Sequence, residues 1–188
     1  MARFIDELKR THHCGALRAG DADKEVVLFG WVSSYRDHGG CIFIDLRDRE
    51  GITQVVFDPE QPGYGDLPKT AHDLAQALRS EWVVGVRGVV KSRGANKNPR
   101  LATGEIEVHG VELSVFNKAD TPPFEIKDEI DTAEEKRLQY RYLDLRRAPL
   151  QRTLRIRHRI HQVTRRYFDD QGFLELETPF MGKYTPGG

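Results

Sequence analysis

The chain has 188 residues, of which 38% are apolar and 31% charged, with 29 basic side chains against 29 acidic ones. This composition is typical of a soluble globular protein and excludes a disordered chain or a membrane span, since no run of about 18 apolar residues occurs. The length suits one domain of ordinary size and part of another. Because the net charge is zero, any nucleic-acid contact is expected from a local patch.

The two cysteines, Cys14 and Cys41, form no CxxC pair and have no histidine at metal-ligand spacing. This usage favours reduced thiols in a cytoplasmic protein, and no signal peptide precedes the first charged segment. The adjacent residues 12–14 (His-His-Cys) do not predict a metal site, because neighbouring side chains of an extended segment point opposite ways. We therefore expect no bound metal and no membrane partner.

Along the chain, hydrophobic patterning predicts a short helix over residues 3–10, then three strands, a helix and two more strands. The strands are predicted over residues 26–36, 41–47, 52–57, 82–91 and 105–116, and the helix over 70–79. This order is that of the OB-fold, a mainly β, five-stranded Greek-key barrel that binds oligonucleotides across its second and third strands. A small β-barrel without a ligand is the open alternative.

Phe43 stands on the polar face of the second predicted strand. Ile42 and Ile44 alternate with it and form the apolar face, which leaves Phe43 beside Asp45 and Arg47. A ring in this position suits stacking on an unpaired base, which contributes about 1–3 kcal/mol per base. The alternative is an aromatic side chain packed under a loop.

The last two predicted strands place further charges on an outward face. Their polar sides carry Arg87, Lys91 and Arg93 on one strand and Glu105, Glu107 and His109 on the other. The basic loop over residues 92–100 adjoins this face and adds Asn96 and Asn98 as candidates. Arginine and lysine there would bind phosphates, whereas carboxylates would accept hydrogen bonds from base amino groups; a solvated charged face is the alternative. Gln54 is ambiguous: it shares a face with Ile52 and Val56, so alternation alone would place it inside the barrel.

After residue 116 the pattern changes. Residues 117–131 contain two adjacent prolines and no periodicity, which predicts a linker between an OB-fold domain over residues 1–116 and a second region over 132–188. The second region is predicted to form helices over residues 132–147 and 149–171, ended by Gly172, and a strand over 172–179. It is too small to be a self-sufficient domain, so we expect it to open a larger α+β domain.

Several strings of residues match those of a known family. They are Gly-Trp-Val at 30–32, Arg-Asp-His-Gly-Gly at 36–40, Ile-Phe-Ile-Asp-Leu-Arg-Asp-Arg-Glu-Gly at 42–51, Gln-Val-Val-Phe at 54–57, Ala-Thr-Gly-Glu-Ile-Glu-Val at 102–108, Tyr-Arg-Tyr-Leu-Asp-Leu-Arg-Arg at 140–147 and Phe-Leu-Glu-Leu-Glu-Thr-Pro at 173–179. The string over 140–147, combined with Leu-Glu-Thr-Pro, is highly specific. On these strings the whole chain resembles the N-terminal part of bacterial-type aspartyl-tRNA synthetase, a class II enzyme. Asparaginyl- and lysyl-type relatives share the architecture but match less well.

The resemblance implies an OB-fold that binds the anticodon loop of tRNA(Asp). Phe43 corresponds to the residue that stacks on the central uracil, Gln54 to the one that hydrogen-bonds it, and Glu107 to a residue that reads the first anticodon base. Arg36 and Arg93 correspond to basic contacts in the same pocket. His38 lies in the adjoining loop and suggests the hypothesis that tRNA(Asn) is also accepted, because the two anticodons differ only at the third base.

The second helix and residues 173–179 resemble class II motif 1, which forms a homodimer interface in the family and here includes Phe173 and Pro179. The family attaches aspartate to tRNA(Asp) with ATP and Mg²⁺, through motifs 2 and 3, which these 188 residues do not contain. The resemblance thus implies that this chain needs no cofactor of its own, binds no DNA and does not aminoacylate alone.

Two other functions fit a barrel of this kind. A free-standing OB-fold module would bind nucleic acid but leaves residues 140–179 without a role. A barrel that binds another protein would show no salt-dependent RNA binding, whereas an RNA-binding barrel would lose affinity steeply with salt.

Overall fold

A computed structural model of the chain describes residues 7–182. The chain divides into two compact units, Met1–Glu125 and Ile126–Gly188. The first unit contains the strands β1 (Glu25–His38), β2 (Cys41–Asp48), β3 (Gly51–Phe57), β4 (Val83–Ser92) and β5 (Ile106–Asn117), with helix α1 (Leu67–Ala75) between β3 and β4. These are the five strands and the intervening helix that the sequence predicts. Helix α1 begins earlier than predicted because Pro68 suits the first helical turn.

The strands close into a barrel in the order β1-β2-β3-β5-β4. Neighbouring strands are antiparallel except β3 and β5, which are parallel. Between β1 and β2, Gly39 and Gly40 have φ angles of 64° and 81°, the left-handed conformation that a two-residue hairpin turn requires. This turn pairs His38 with Cys41 and thereby sets Arg36 opposite Phe43. The predicted five-stranded OB-fold is confirmed.

Alternate residues of every strand fill the inside of the barrel. Fully buried side chains include Val26, Leu28, Val32, Ile42, Ile44, Leu46, Val55, Phe57, Val84, Val86, Val90, Ile106 and Val108. Phe57 is the largest of them and lies against Gly110, where a Cβ would come within 2.6 Å of its ring. Each such apolar side chain contributes about 1.5–3 kcal/mol on burial, so the barrel is a stable frame for outward-facing residues.

Asp48 fastens the segment before β1 to the end of β2. Its carboxylate accepts hydrogen bonds from the backbone N–H of Cys14 and of Glu50, each at 2.8 Å, and lies 2.9 Å from Nδ1 of His13. Burial alone would raise the pKa of Asp48, but these donors outweigh it and hold that pKa below its usual range. Burial raises the pKa of the neighbouring Cys14 thiol, so this sulfur stays neutral.

Three sequence predictions differ from the structure. Of the helix predicted over residues 3–10, residues 3–6 lie outside the described part, and residues 8–10 are not helical. The helix predicted from residue 132 forms two short helices, α2 (Glu134–Gln139) and α3 (Arg141–Asp144). The strand predicted over 172–179 is not formed, because a strand requires a partner and none pairs with it among residues 7–182.

Asp144 is the buried centre of the second unit. Its carboxylate is fully buried and accepts hydrogen bonds from Arg141 and Arg147, each at 2.8 Å. Arg147 also donates to the backbone carbonyls of Lys127 and Asp128, at 2.7 and 2.6 Å. The specific string over residues 140–147 therefore holds the end of the predicted linker against α3.

Helix α4 (Ala148–Asp170) follows this cluster. Gly172, with φ of 82°, ends it: the N–H of Gly172 donates to Asp169 and that of Phe173 to Phe168. Its predicted end is confirmed.

All side chains from residue 152 to 182 are exposed, including the apolar ones, which are Leu154, Ile156, Ile160, Val163, Tyr167, Phe168, Phe173, Leu174, Leu176, Phe180 and Met181. None of the helices in residues 7–182 is long and apolar enough to cross a membrane.

Candidate nucleic-acid interface

The outward side chains of β1, β2, β3 and β5 form two adjacent rows, which we call the candidate face. The first row runs from Arg36 through Phe43 and Val56 to His109, each the register partner of the next. The second row comprises Ser34, Asp45, Gln54 and Glu107, joined by strand pairing and a side-chain hydrogen bond. Because neighbouring strands lie about 4.8 Å apart, each row spans about 15 Å, the scale of a few nucleotides.

Phe43 supplies the aromatic surface of this face. It alternates with the core residues Ile42 and Ile44 and is half-buried on the outside of the barrel, as its position in the sequence predicts. Arg36, directly opposite on β1, is exposed, and its Nη2 lies 3.3 Å from Asp45 Oδ1 and 3.3 Å from Gln54 Oε1. A half-exposed ring flanked by a cation and hydrogen-bonding groups is suited to stacking an unpaired base.

Gln54 lies on the candidate face and not inside the barrel, where alternation alone would place it. It pairs with Asp45 on β2, whereas the core residue Val55 pairs with Ile44. Both faces of β3 are covered, since the outward Val56 is only 4% exposed, and alternation of apolar residues therefore does not distinguish inside from outside here.

Glu107 is the most constrained group of the face. Its Oε2 accepts a hydrogen bond from Gln54 Nε2 at 2.9 Å and lies 3.7 Å from Arg93 Nε, while its Oε1 lies 3.1 Å from His109 Nε2. The side chain remains partly exposed, so the fixed carboxylate can accept hydrogen bonds from the amino and imino groups of a base.

Arg93 carries donors that are not satisfied. Its Nε and Nη1 atoms are buried and have no hydrogen-bond partner among residues 7–182. A buried donor without an acceptor costs about 1–3 kcal/mol, so each such group in a native structure needs an explanation, and an acceptor on a bound ligand supplies one. Arg93 begins the loop after β4, and its backbone N–H donates to Glu105, which holds its side chain beside Glu107.

The other predicted basic residues are engaged elsewhere. Arg87 forms ion pairs with Glu25 and Glu112 on the neighbouring strands, and Lys91 lies 2.7 Å from Asp23. Lys97 lies 2.7 Å from Glu105, and its hydrogen bond is the main cause that lowers the pKa of that carboxyl below its usual range. The predicted basic row thus contributes mainly Arg93 to the face.

The remaining candidates lie at the edges of the face. His38 is exposed at the end of β1, next to the Gly39–Gly40 turn. Asn96 is exposed at the end of a 3₁₀ turn (Gly94–Asn96), and the Asn98 side chain accepts a hydrogen bond from the backbone of Arg100. Phe173 and Pro179 are exposed in the second unit, where the Phe173 ring packs edge-on against Phe168 at 5.5 Å.

Cys41 shares the outward side of β2 with Phe43. Burial, and then the negative charges of Asp58, Glu60 and Glu107, raise the pKa of the Cys41 thiol. This sulfur therefore stays neutral beside the face. Within residues 7–182, no group of three or more His, Cys, Asp or Glu side chains is arranged to hold a metal ion.

Sequence reasoning did not single out Asp45 and His109 as functional candidates. Both lie two residues from a candidate on the same strand, Asp45 after Phe43 and His109 after Glu107. The signal was present, because residues two apart on a strand share a face. The contact of Asp45 with Arg36 also depends on the register between β1 and β2, which the sequence pattern did not specify.

Both parts of the chain match known families. Residues 26–116 match the family described as OB-fold nucleic acid binding domain, and residues 133–188 match the one described as tRNA synthetases class II (D, K and N). The two matches follow one another in the order that the sequence predicts.

Among curated proteins, the chain is 65% identical over 188 residues to the aspartate–tRNA(Asp/Asn) ligase of Anaeromyxobacter dehalogenans, covering 100% of this chain and 30% of that protein. It is 50% identical over 189 residues to the enzyme of the same name from Syntrophotalea carbinolica, covering 100% of this chain and 31% of that protein. The chain therefore spans about a third of the length of these relatives.

Among solved structures, the aspartyl-tRNA synthetase of Entamoeba histolytica superposes with a TM-score of 0.81 over 94% of this chain and 40% of that one. The identity is 21%, so this likeness concerns the fold alone.

Proposed function

Because the chain belongs to the class II tRNA synthetases of the D, K and N group, we propose that its barrel binds the anticodon loop of tRNA(Asp) as the N-terminal part of an aspartate–tRNA ligase. The observation that carries the proposal is that one face holds both the outward Phe43 ring and, beside Glu107, the buried donors of Arg93 that have no hydrogen-bond partner in residues 7–182. A ring without such donors would suit many apolar ligands. Together they suit an RNA base with acceptor groups around it.

Each residue has a distinct part in the proposed binding. Phe43 stacks on the central base of the anticodon, and Gln54, which is held by Arg36 and Glu107, hydrogen-bonds the edge of that base. Glu107 reads the first base through its carboxylate, and Arg93 supplies donors to base or phosphate oxygens. Asn96 and Asn98, in the loop after β4, are the proposed contacts at the rim.

Substitution of Phe43 tests the proposal directly. We expect Phe43→Ala to weaken binding of a labelled tRNA(Asp) anticodon stem-loop by about 5- to 150-fold, since one base–aromatic stack contributes about 1–3 kcal/mol. Phe43→Trp retains an aromatic face and is expected to keep most of the affinity. The measurement is a fluorescence-anisotropy titration at two or more salt concentrations.

Phe29→Ala is the matched control, because Phe29 is also a half-buried aromatic residue of the barrel but packs edge-on against Phe116, away from the candidate face. It is expected to leave the RNA affinity unchanged. Equal affinities for Phe43→Ala and wild type, or binding that does not weaken with salt, would refute anticodon recognition by this face.

We further propose that the barrel accepts tRNA(Asn) as well as tRNA(Asp). The exposed His38 stands beside two glycines without side chains, so the adjoining space does not select by size. Anticodon stem-loops of the two tRNAs, which differ at the third anticodon base, are expected to bind with affinities within about tenfold of each other. A preference of about 100-fold or more for the aspartate stem-loop contradicts this proposal.

For the longer protein, we propose a cytoplasmic homodimeric ligase that activates aspartate with ATP and Mg²⁺. The exposed apolar side chains of α4 and residues 173–181 support a dimer, because clustered apolar exposure marks interaction sites in proteins. The free cysteines Cys14 and Cys41 suit a reducing compartment.

A further inference from the structure

His109 contacts the carboxylate that is proposed to read the first anticodon base. His109 lies two residues after Glu107 on β5, so both side chains point outward, and its Nε2 lies 3.1 Å from Glu107 Oε1. Its register partners are Val56 on β3 and Val89 on β4, which are 4% and 7% exposed. Apolar residues thus flank the imidazole on both neighbouring strands, and its polar edge meets Glu107.

The two oxygens of Glu107 are held by different groups. Oε2 accepts from Gln54 Nε2 at 2.9 Å and lies 3.7 Å from Arg93 Nε, whereas Oε1 has His109 at 3.1 Å. Because the acceptor is a carboxylate, Nε2 of His109 carries the hydrogen. The terminal torsion of a glutamate is otherwise broad, so donors on both oxygens fix the plane of the carboxylate.

We infer that His109 is a positioning residue, which fixes the carboxylate of Glu107 in the orientation that pairs with a guanine edge in the bound RNA. This inference rests on the proposed function. Guanine presents two adjacent donors, N1–H and the 2-amino group, which match two coplanar carboxylate oxygens. When the carboxylate plane is free to rotate, the carboxylate can still accept from one of the two donors. It is then no longer oriented to accept from both at once.

The test compares two anticodon stem-loops, one with guanosine and one with inosine as the first anticodon base. Inosine lacks the 2-amino group and keeps N1–H. For wild type we expect guanosine to bind about tenfold more tightly than inosine, the discrimination expected of one bidentate pair. For His109→Leu we expect the ratio to fall to about twofold or less. Affinity for the inosine stem-loop is expected to change little.

His109→Gln decides between positioning and a merely structural role. Its amide retains a donor toward Glu107, so it is expected to restore most of the guanosine preference, whereas a packing role would not distinguish Gln from Leu by this ratio. His12→Gln is the matched control, since His12 lies before β1 and hydrogen-bonds Thr11. It is expected to keep the wild-type ratio. Thermal unfolding of each variant verifies that the barrel is folded.

The possible outcomes separate this inference from the proposed function. If wild type prefers guanosine and His109→Leu retains the full preference, the positioning role is wrong and anticodon binding stands. If wild type binds both stem-loops equally, or if Gln fails to restore what Leu loses, the inference is also overturned. If wild type binds neither RNA, the proposed function itself fails, and the inference fails with it.

Discussion

Replacement of Asp144 by alanine is expected to lower the free energy of unfolding of the second unit by about 3–5 kcal/mol, the cost of removing one partner from a buried ion pair. The carboxylate is fully buried and joins Arg141 and Arg147, which in turn bind the carbonyls of Lys127 and Asp128. Alanine leaves the buried Arg147 guanidinium without its counter-charge. Hydrogen exchange of the amides in residues 126–147 measures the loss, with the barrel amides as an internal reference.

Asp131→Ala is the matched control for this prediction. Asp131 is an exposed carboxylate in the same unit, and its removal is expected to change stability by less than about 0.5 kcal/mol. Asp144→Asn keeps one acceptor and is expected to fall between the two. Hydrogen exchange in Asp144→Ala that equals wild type would show that the cluster does not hold the unit together.

The five barrel strands were predictable because one face of each packs against a continuous core. Ile42, Ile44 and Leu46 alternate on β2, and the burial of this set fixes which way Phe43 points. β3 gives no such signal, because both of its faces are covered, and alternation alone would therefore place Gln54 on the wrong side. A local pattern identifies a face only where the opposite face is polar.

Contacts between residues far apart in the chain could not be predicted from the sequence pattern. Arg87 and Lys91 look free on their strand, but they pair with Glu25 and Asp23, more than sixty positions away in the chain. The strand over residues 172–179 failed for a related reason, since extended backbone becomes a strand only when a partner satisfies its hydrogen bonds. Similarly, the sequence identified the string over 140–147 as specific but did not show its structural role. That role depends on Arg147, which joins the buried Asp144 to the backbone carbonyls of Lys127 and Asp128.

The candidate face therefore contains two kinds of residue: side chains whose hydrogen bonds are satisfied within the protein, and one whose donors are not. Arg36 donates to both Asp45 and Gln54, Gln54 donates to Glu107, and His109 holds the other oxygen of Glu107. These side chains are therefore held in place before any ligand binds. Arg93 differs, because its buried Nε and Nη1 have no hydrogen-bond partner in residues 7–182. Groups that cost stability in the free protein are expected where a ligand repays that cost on binding.

Replacement of Arg93 by alanine is expected to weaken binding of the tRNA(Asp) anticodon stem-loop by about 10- to 150-fold, since a charge-assisted hydrogen bond contributes about 1.5–3 kcal/mol. The same substitution is expected to leave the stability of the barrel unchanged or slightly higher. It removes two unsatisfied donors, and the ion pair lost with Glu107 is long, at 3.7 Å. Anisotropy titration and urea unfolding of the same variant measure the two effects.

Arg100→Ala separates this role from general electrostatics, because Arg100 is an exposed arginine of the same loop. Both variants lose one positive charge. If the replaced arginine contacts a phosphate, the slope of log affinity against log salt concentration falls by about one unit. Only Arg93→Ala is expected to lose affinity at high salt as well, where hydrogen bonds to the bases persist and phosphate attraction is screened.

Arg93→Lys keeps the charge without the planar fork and is expected to recover only the salt-dependent part of the affinity. If Arg93→Ala binds RNA as tightly as Arg100→Ala and unfolds more easily than wild type, then Arg93 is a structural residue, and the buried donors do not serve a bound nucleotide.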